Sequence, residues 1–388
     1  MVSAVVAWIL ALACVLLLAE TALFLRNLAN LERLDRVEAP EPESWPRVSI
    51  IMAARDEVHD IAEAVDSRLA DDYPNLQVIL VDDRSTDGTG EAALEAAGGD
   101  PRFSVVRVDD LPDGWLGKVH AMQAGLAEAD GEWLLFSDGD VLVKPGLLRQ
   151  AIGFCEHQNI GLLALVPAFR AGSFLVDGVW VVFMRGLIVM ADPAKIRDPN
   201  SKIALGAGAF NLVRRGAYEA TPGFEHLRLE TGDDVALASM VKRAGHSIRL
   251  VDGSMYAQVA IYRSIPGLLK GIEKNGSTTA ALPFPLLLAA FALFLGLLFS
   301  PFIAVVAGPV WLQTLGAATL ATYTASEMYG LWRNTGTWAP AILWPVGCLV
   351  LVHGMVRSTW LAHKNDGVWW RDTFYPLDEL AQGRRFKL

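Results

Sequence analysis

The chain of 388 residues is 53% hydrophobic and carries a formal net charge of -10, and its mean hydropathy is positive. That apolar content lies above the range of soluble globular domains and assigns part of the chain to a membrane. The acidic balance excludes a nucleic-acid binder, which needs a basic face to replace counterions on the phosphate backbone. Cys14, Cys155 and Cys348 stand far apart with no zinc spacing, which fits a reducing compartment without a disulfide framework.

Residues 2–25 are apolar apart from Glu20, long enough at about 1.5 Å per helical residue to cross a bilayer. The stretch opens without the basic start of a secretory signal. Arg26, Arg33 and Arg36 follow it, so the positive-inside rule places the next segment in the cytoplasm. After a linker containing Pro40, Pro42 and Pro46, strand-like runs at 48–52 and 78–81 flank a helix-like stretch at 61–69. This βαβ pattern implies a parallel sheet.

The loop after the first strand, Ala53-Ala54-Arg55-Asp56-Glu57, offers small residues against which a flat ring can lie and charges that reach polar groups; it also reads as an ordinary strand-to-helix turn with a charged helix start. The second strand runs into Asp82-Asp83-Arg84-Ser85-Thr86-Asp87-Gly88-Thr89. Capping accounts for Asp87, whereas adjacent Asp82 and Asp83 repel unless something binds them, such as a ring N–H of a base or a ribose hydroxyl. No glycine-rich phosphate loop of Walker or dinucleotide type is present. Gly114-Trp115-Leu116-Gly117-Lys118 sets a lysine at the start of a helix-like stretch, against the macrodipole; Lys118 either pairs with a diphosphate or is solvated.

Trp133-Leu134-Leu135-Phe136 reads as a buried strand ending at Ser137, with Asp138, Gly139 and Asp140 just past its end, where open α/β sheets bind ligands. Residues i and i+2 of an extended chain face the same way, so the two carboxylates suit Mg²⁺ or Mn²⁺ bridging to phosphates. Taken alone, the triplet also reads as a solvated acidic turn. Gly206-Ala207-Gly208 allows close backbone approach to a sugar, with Gly208 as the candidate contact, and Asp233-Asp234 opens a helix where Asp234 is the candidate general base.

In this order, Ala-Arg-Asp-Glu at 54–57, the Asp-Asp-Arg-Ser-Thr-Asp-Gly-Thr string, Gly-Trp-Leu-Gly-Lys at 114–118, Asp-Gly-Asp at 138–140 and Asp-Asp at 233–234 resemble family 2 glycosyltransferases over about residues 47–270. The resemblance implies an α/β GT-A nucleotide-sugar-binding domain, with a mostly parallel sheet flanked by helices, joined to N- and C-terminal transmembrane helices. It implies that Ala53, Arg55, Glu57 and Asp83 hold base and ribose, that Asp138 helps hold ribose or diphosphate, and that Asp140, with Asp138, binds a divalent metal, Mg²⁺ or Mn²⁺. Asp234, beside Asp233, becomes the base of an inverting single displacement. The family's usual Arg-Asn-Glu is Arg-Asp-Glu here, and the Gln-x-x-Arg-Trp box of processive synthases is missing, the nearest string being Gln258 to Arg263. Gly-Trp-Leu-Gly-Lys, Tyr262-Arg263 with Gly271 to Asn275, Trp370-Arg371 and Phe374-Tyr375-Pro376 resemble the membrane-bound branch that glycosylates carotenoids, hopanoids or ceramides.

The C-terminal third suits a lipid acceptor. Residues 282–308 and 338–356 are apolar, whereas 310–331 contains Gln313 and Glu327, giving two or three spans. Arg357, Lys364, Arg371, Arg384, Arg385 and Lys387 favour a cytoplasmic tail, so the middle stretch is read as re-entrant or interfacial, with Glu327 needing a partner or water. Residues 268–277 are expected on the membrane surface, and Trp344, Trp360, Trp369 and Trp370 as interface anchors. The expected organisation is a span over 1–26, a linker over 27–46, a cytoplasmic catalytic domain over 47–265, an interfacial segment over 266–280, a membrane region over 281–357 and a basic tail over 358–388. The expected protein moves a hexose from a nucleotide sugar, UDP-linked by preference, to a lipid hydroxyl at a bacterial cytoplasmic membrane. The alternatives are transfer to a polyprenyl phosphate, polysaccharide synthesis, or an inactive nucleotide-sugar-binding protein.

Overall fold

The computed structural model describes residues 3–170, 172–260, 262–274, 276 and 283–385. Ile261, Asn275, Ser277 and Lys387, which enter the sequence reading, lie outside them. The chain packs as two units, one of Leu31–Arg170, Ala191–Ile261 and Asp378–Leu388, the other of Met1–Asn30, Ala171–Met190 and Tyr262–Leu377.

The first unit is built on strands β1 (Glu32–Arg33), β2 (Val48–Ala54), β3 (Leu76–Asp83), β4 (Phe103–Val108), β5 (Trp133–Asp138), β6 (Val141–Val143), β7 (Leu162–Val166), β8 (Ala168–Phe169), β9 (Asn211–Arg214), β10 (Ile248–Asp252) and β11 (Ala257–Val259). One eight-stranded sheet runs β1-β10-β7-β9-β5-β2-β3-β4, and a small sheet runs β6-β11-β8. Among the described residues, β9 alone in the large sheet is antiparallel to its neighbours; the other pairs are parallel. Helices on the faces explain why β2, β3 and β5 read as unbroken apolar runs, since their residues are covered on both sides. The expected α/β architecture with a mostly parallel sheet is therefore present.

Register sets up the functional edge. Ala53 stands opposite both Val81 of β3 and Asp138 of β5, and Ala54 stands opposite Asp82. The strands run one or more residues beyond the expected ends, so Asp83 and Asp138 are the last residues of β3 and β5 rather than lying past them. Helix Ile61–Leu69 turns Ile61, Ala64, Val65 and Arg68 inward, the i, i+3, i+4, i+7 face of a core helix.

In the second unit, among the described residues, Ala4–Asn30, Phe174–Ala191, Phe284–Ala307 and Ala339–Asn365 are long and apolar enough to cross a membrane. Phe174–Ala191 is the one the sequence reading missed, having placed it inside the catalytic domain. The stretch expected to be weak is one continuous helix, Val310–Thr335. Its Glu327 is buried and lies 3.5 Å from Arg185, which also takes Glu20 at 2.6 Å. Trp344 is corrected from interface anchor to core: it is 2% exposed, donates to Thr324 Oγ1 at 3.0 Å and packs on Tyr323. Trp360 and Trp369 are exposed, and Lys274 lies over Trp370. In helix Ile265–Glu273, capped by Ser264, Leu268 and Ile272 are buried within this unit.

Candidate active site

The predicted residues gather along the carboxyl ends of β2, β3 and β5. Lys118, in the first turn of helix Gly117–Glu128, places its Nζ 2.7 Å from Asp138 Oδ1 and 3.6 Å from Asp233 Oδ2. Burial works against the Lys118 ammonium, but Asp138, Asp233 and Asp234 around it outweigh burial and raise its pKa. The sequence reading offered Lys118 to a diphosphate and Asp138 to ribose or metal; the structure pairs the two with each other.

Two glycines let these groups approach. A Cβ on Gly117 would fall 2.5 Å from Asp83 Oδ2, and one on Gly208 would fall 2.8 Å from Asp138 Oδ2 and 3.1 Å from Lys118 Nζ. Any side chain at either position would displace the charged pair beside it. Asp138 N–H also donates to Gly208 O at 3.0 Å, which fixes the 206–208 loop to the strand end. Asn211 clasps the next piece: its Oδ1 accepts from Ala207 N–H at 3.1 Å and its Nδ2 donates to Asp234 O at 3.4 Å. The loop is thereby tied to the start of helix Asp233–Arg243, where Asp233 is buried and Asp234 is half-buried, with Asp234 Oδ1 accepting its own helix's Val235 N–H at 2.8 Å.

Asp83, 5% exposed, is held by the fork of Arg84, Nε to Oδ1 at 2.7 Å and the second nitrogen to Oδ2 at 3.0 Å. Arg84 adopts φ 59°, a left-handed conformation rare outside glycine. Asp82 instead closes the turn that follows, its Oδ1 accepting Ser85 N–H at 3.2 Å. Asp87 accepts from Thr89 N–H and hydroxyl and from Val58 N–H, so it ties the β3 loop to the β2 loop. Glu57 N–H donates to Thr89 Oγ1 at 2.8 Å, and Arg55 lies 3.8 Å from Asp56.

Asp140 is the most perturbed carboxyl here. Burial, the Asp138 carboxylate and the Glu57 carboxylate push it up to about 7, against a backbone hydrogen bond and the Arg68 guanidinium. Two hard oxygen donors at one strand end, with a third carboxylate felt nearby, fit a small divalent cation that takes its remaining ligands from phosphate and water. Among the described residues no three His, Cys, Asp or Glu side chains converge as a complete protein cage. The fit is thus to a metal shared with a phosphate ligand. Arg68, Arg84, Ser137 and Asn211 are the structural partners that sequence reasoning did not assign.

Residues 49–221 match the family model described as Glycosyl transferase family 2. The succinoglycan biosynthesis protein ExoO of Rhizobium meliloti is 34% identical over 113 residues, 29% of this chain and 31% of that protein. The 4,4'-diaponeurosporenoate glycosyltransferase of Staphylococcus aureus is 26% identical over 252 residues, 64% of this chain and 65% of that protein. The chain thus spans less than two thirds of either relative. Among solved structures, the mannosyltransferase PcManGT from Pyrobaculum calidifontis, in complex with GDP-Man and Mn²⁺, aligns over 90% of this chain and 99% of its own. Its TM-score is 0.54 at 19% identity, a likeness of fold.

Proposed function

We propose, from the match of residues 49–221 to the family 2 glycosyltransferase model, that the chain transfers a hexose from a nucleotide sugar, UDP-linked by preference, to a membrane lipid with inversion at the anomeric carbon. The observation that carries this reading is the convergence on Lys118 of Asp138 from a strand end and Asp233 from a helix start, with Gly208 against the same pair. That gathering gives one small volume a diphosphate-seeking cation, metal-seeking carboxylates and an adjacent carboxylate to take a proton.

In this reading the base and ribose lie along Ala53, Arg55, Glu57 and Asp83, and the diphosphate reaches Lys118. The flexible lysine stem exchanges Asp138 for phosphate oxygen, which frees Asp138 to join Asp140. Asp138 and Asp140 would hold a divalent metal, which when bound would supply positive charge for the departing diphosphate. Asp234, beside Asp233, accepts the proton of the acceptor hydroxyl as its oxygen forms the new bond to the anomeric carbon. The old carbon–oxygen bond breaks with its electron pair leaving on the nucleoside diphosphate. The 206–208 loop, with no side chain at Gly208, borders the sugar.

Support for a lipid acceptor comes from the apolar helices of the same chain and from the relative whose name gives 4,4'-diaponeurosporenoate as acceptor. That name ends in a carboxylate, which favours a second reading in which the acceptor is already ionised and needs no base. Purified protein given UDP-hexose, Mn²⁺ and a lipid extract tests both. Under the first reading Asp234→Asn lowers turnover by about 100-fold or more with donor affinity retained. Unimpaired turnover in that variant would assign the acceptor to an ionised oxygen, and absence of sugar transfer by the wild type would overturn the function.

A further inference from the structure

Arg68 sits on the core face of helix Ile61–Leu69 and is 1% exposed. Its guanidinium donates to Ala64 O at 2.9 Å and Val141 O at 2.6 Å from one nitrogen, and to Ser137 Oγ and Asp138 O, both at 3.0 Å, from the other. The first is to its own helix; the other three go to carbonyl and hydroxyl oxygens around the Asp138-Gly139-Asp140 turn. Burying a permanent cation costs several kcal/mol, and a core helix gains nothing from it that an apolar side chain would not supply. The local return is geometric, because a planar fork fixes acceptors on both sides of the turn at once.

The contact continues past the turn. Ser137 Oγ, which accepts from Arg68, also donates to Ala209 O at 2.9 Å, and Asp138 N–H holds Gly208 O. We propose that Arg68 is a positioning residue that sets the acidic turn from beneath and, through Ser137, the 206–209 loop, so that metal-binding carboxylates and sugar-facing backbone are held in one register. This rests on the functional reading above for its consequence, though not for its geometry.

Amide hydrogen exchange on Arg68→Met, with Mn²⁺ titration by electron paramagnetic resonance, tests it. Exchange over 138–143 and 207–210 should quicken at least tenfold while 48–52 and 76–81 keep wild-type rates. Mn²⁺ affinity in the presence of UDP should fall at least tenfold, with UDP affinity in chelator unchanged within twofold. Arg68→Lys, which keeps charge without the fork, should fall between. Uniformly faster exchange throughout the sheet, or wild-type exchange at the turn with wild-type Mn²⁺ affinity, would overturn the proposal. If Arg68→Met does not fold, Ser137→Ala decides: it should quicken 207–210 and leave 139–141 unchanged, and no change at 207–210 would overturn the relay. Should the wild type transfer no sugar, the exchange result still judges Arg68, so failure of the function and failure of the positioning role are told apart.

Discussion

Asp140 titrates near neutrality because burial, Asp138 and Glu57 all oppose its charge. Its pKa lies above that of an unfolded aspartate, so the metal-free folded state holds a proton that the unfolded chain has lost between about pH 4 and 7. This contribution stabilises at low pH and is lost as pH rises through about 7, opposite to a salt-bridged aspartate. A cation competes with that proton, so apparent Mn²⁺ affinity should fall about tenfold per unit below pH 7, measured by titration at fixed UDP. A pH-independent affinity would remove Asp140 from the metal site. Asp140→Asn should lower metal-dependent turnover by about 100-fold and abolish that pH dependence. The acidic residues were legible because strand ends, helix starts and the one-residue spacing of Asp138 and Asp140 are patterns of the chain itself. Ser137 and Asn211 were not, since the loops that bring in their partners are closed by no local pattern; Arg84 meets its neighbour Asp83 through a left-handed backbone that no pattern announces. Arg68 did leave a trace: a charged residue at i+7 on an apolar helix stripe is a buried charge awaiting a partner.

Helix Phe174–Ala191 shows the same effect on a larger element. Its apolar run is interrupted by Asp177 and Arg185 and follows strand-like sequence, so it reads as part of an α/β domain. The structure satisfies Arg185 inside a helical unit, with Glu20 at 2.6 Å, Ser326 at 2.9 Å, Thr21 at 2.8 Å and Glu327 at 3.5 Å, its plane over Tyr323 and Phe24. Glu327, whose need for a partner is plain from the sequence, meets it on an apolar helix that the sequence places inside the catalytic domain. Arg185→Met leaves the Glu327 and Glu20 carboxylates without their cation and should cost about 3–5 kcal/mol, read as a lower unfolding temperature in detergent. Adding Glu20→Gln and Glu327→Gln should recover much of the loss; an unchanged midpoint for Arg185→Met would show that the triad contributes nothing.

Across the whole molecule, chain connectivity limits how the apolar helices meet a bilayer. Before Phe174–Ala191, Arg170 N–H donates to Val259 O; after it, Lys242 donates to the Lys195 and Ile196 carbonyls. Both flanks thus belong to the unit that carries the sheet, and the prediction is that a helix whose flanks share one membrane face does not cross, whatever its length. The chain likewise leaves that unit after residue 261 and rejoins it at Asp378, where Arg385 N–H donates to Glu230 at 2.8 Å. If both points lie on one membrane face, an even number of crossings separates them, the arrangement that a non-crossing stretch in the C-terminal third would give. Ser173→Cys and Lys202→Cys should therefore react with an impermeant maleimide from the same membrane face, and labelling from opposite faces would contradict this topology. Span number was beyond the sequence because hydropathy reports the capacity to cross, whereas crossing is fixed by which strands the flanking segments join.

A chain with the proposed activity leaves a chemical product in the membrane. Mass spectrometry of membrane lipids from cells carrying the wild-type chain, the Asp140→Asn variant or no copy should reveal a lipid bearing one added hexose in the first alone. Identical lipid profiles in all three, or a sugar polymer in place of a singly glycosylated lipid, would contradict it.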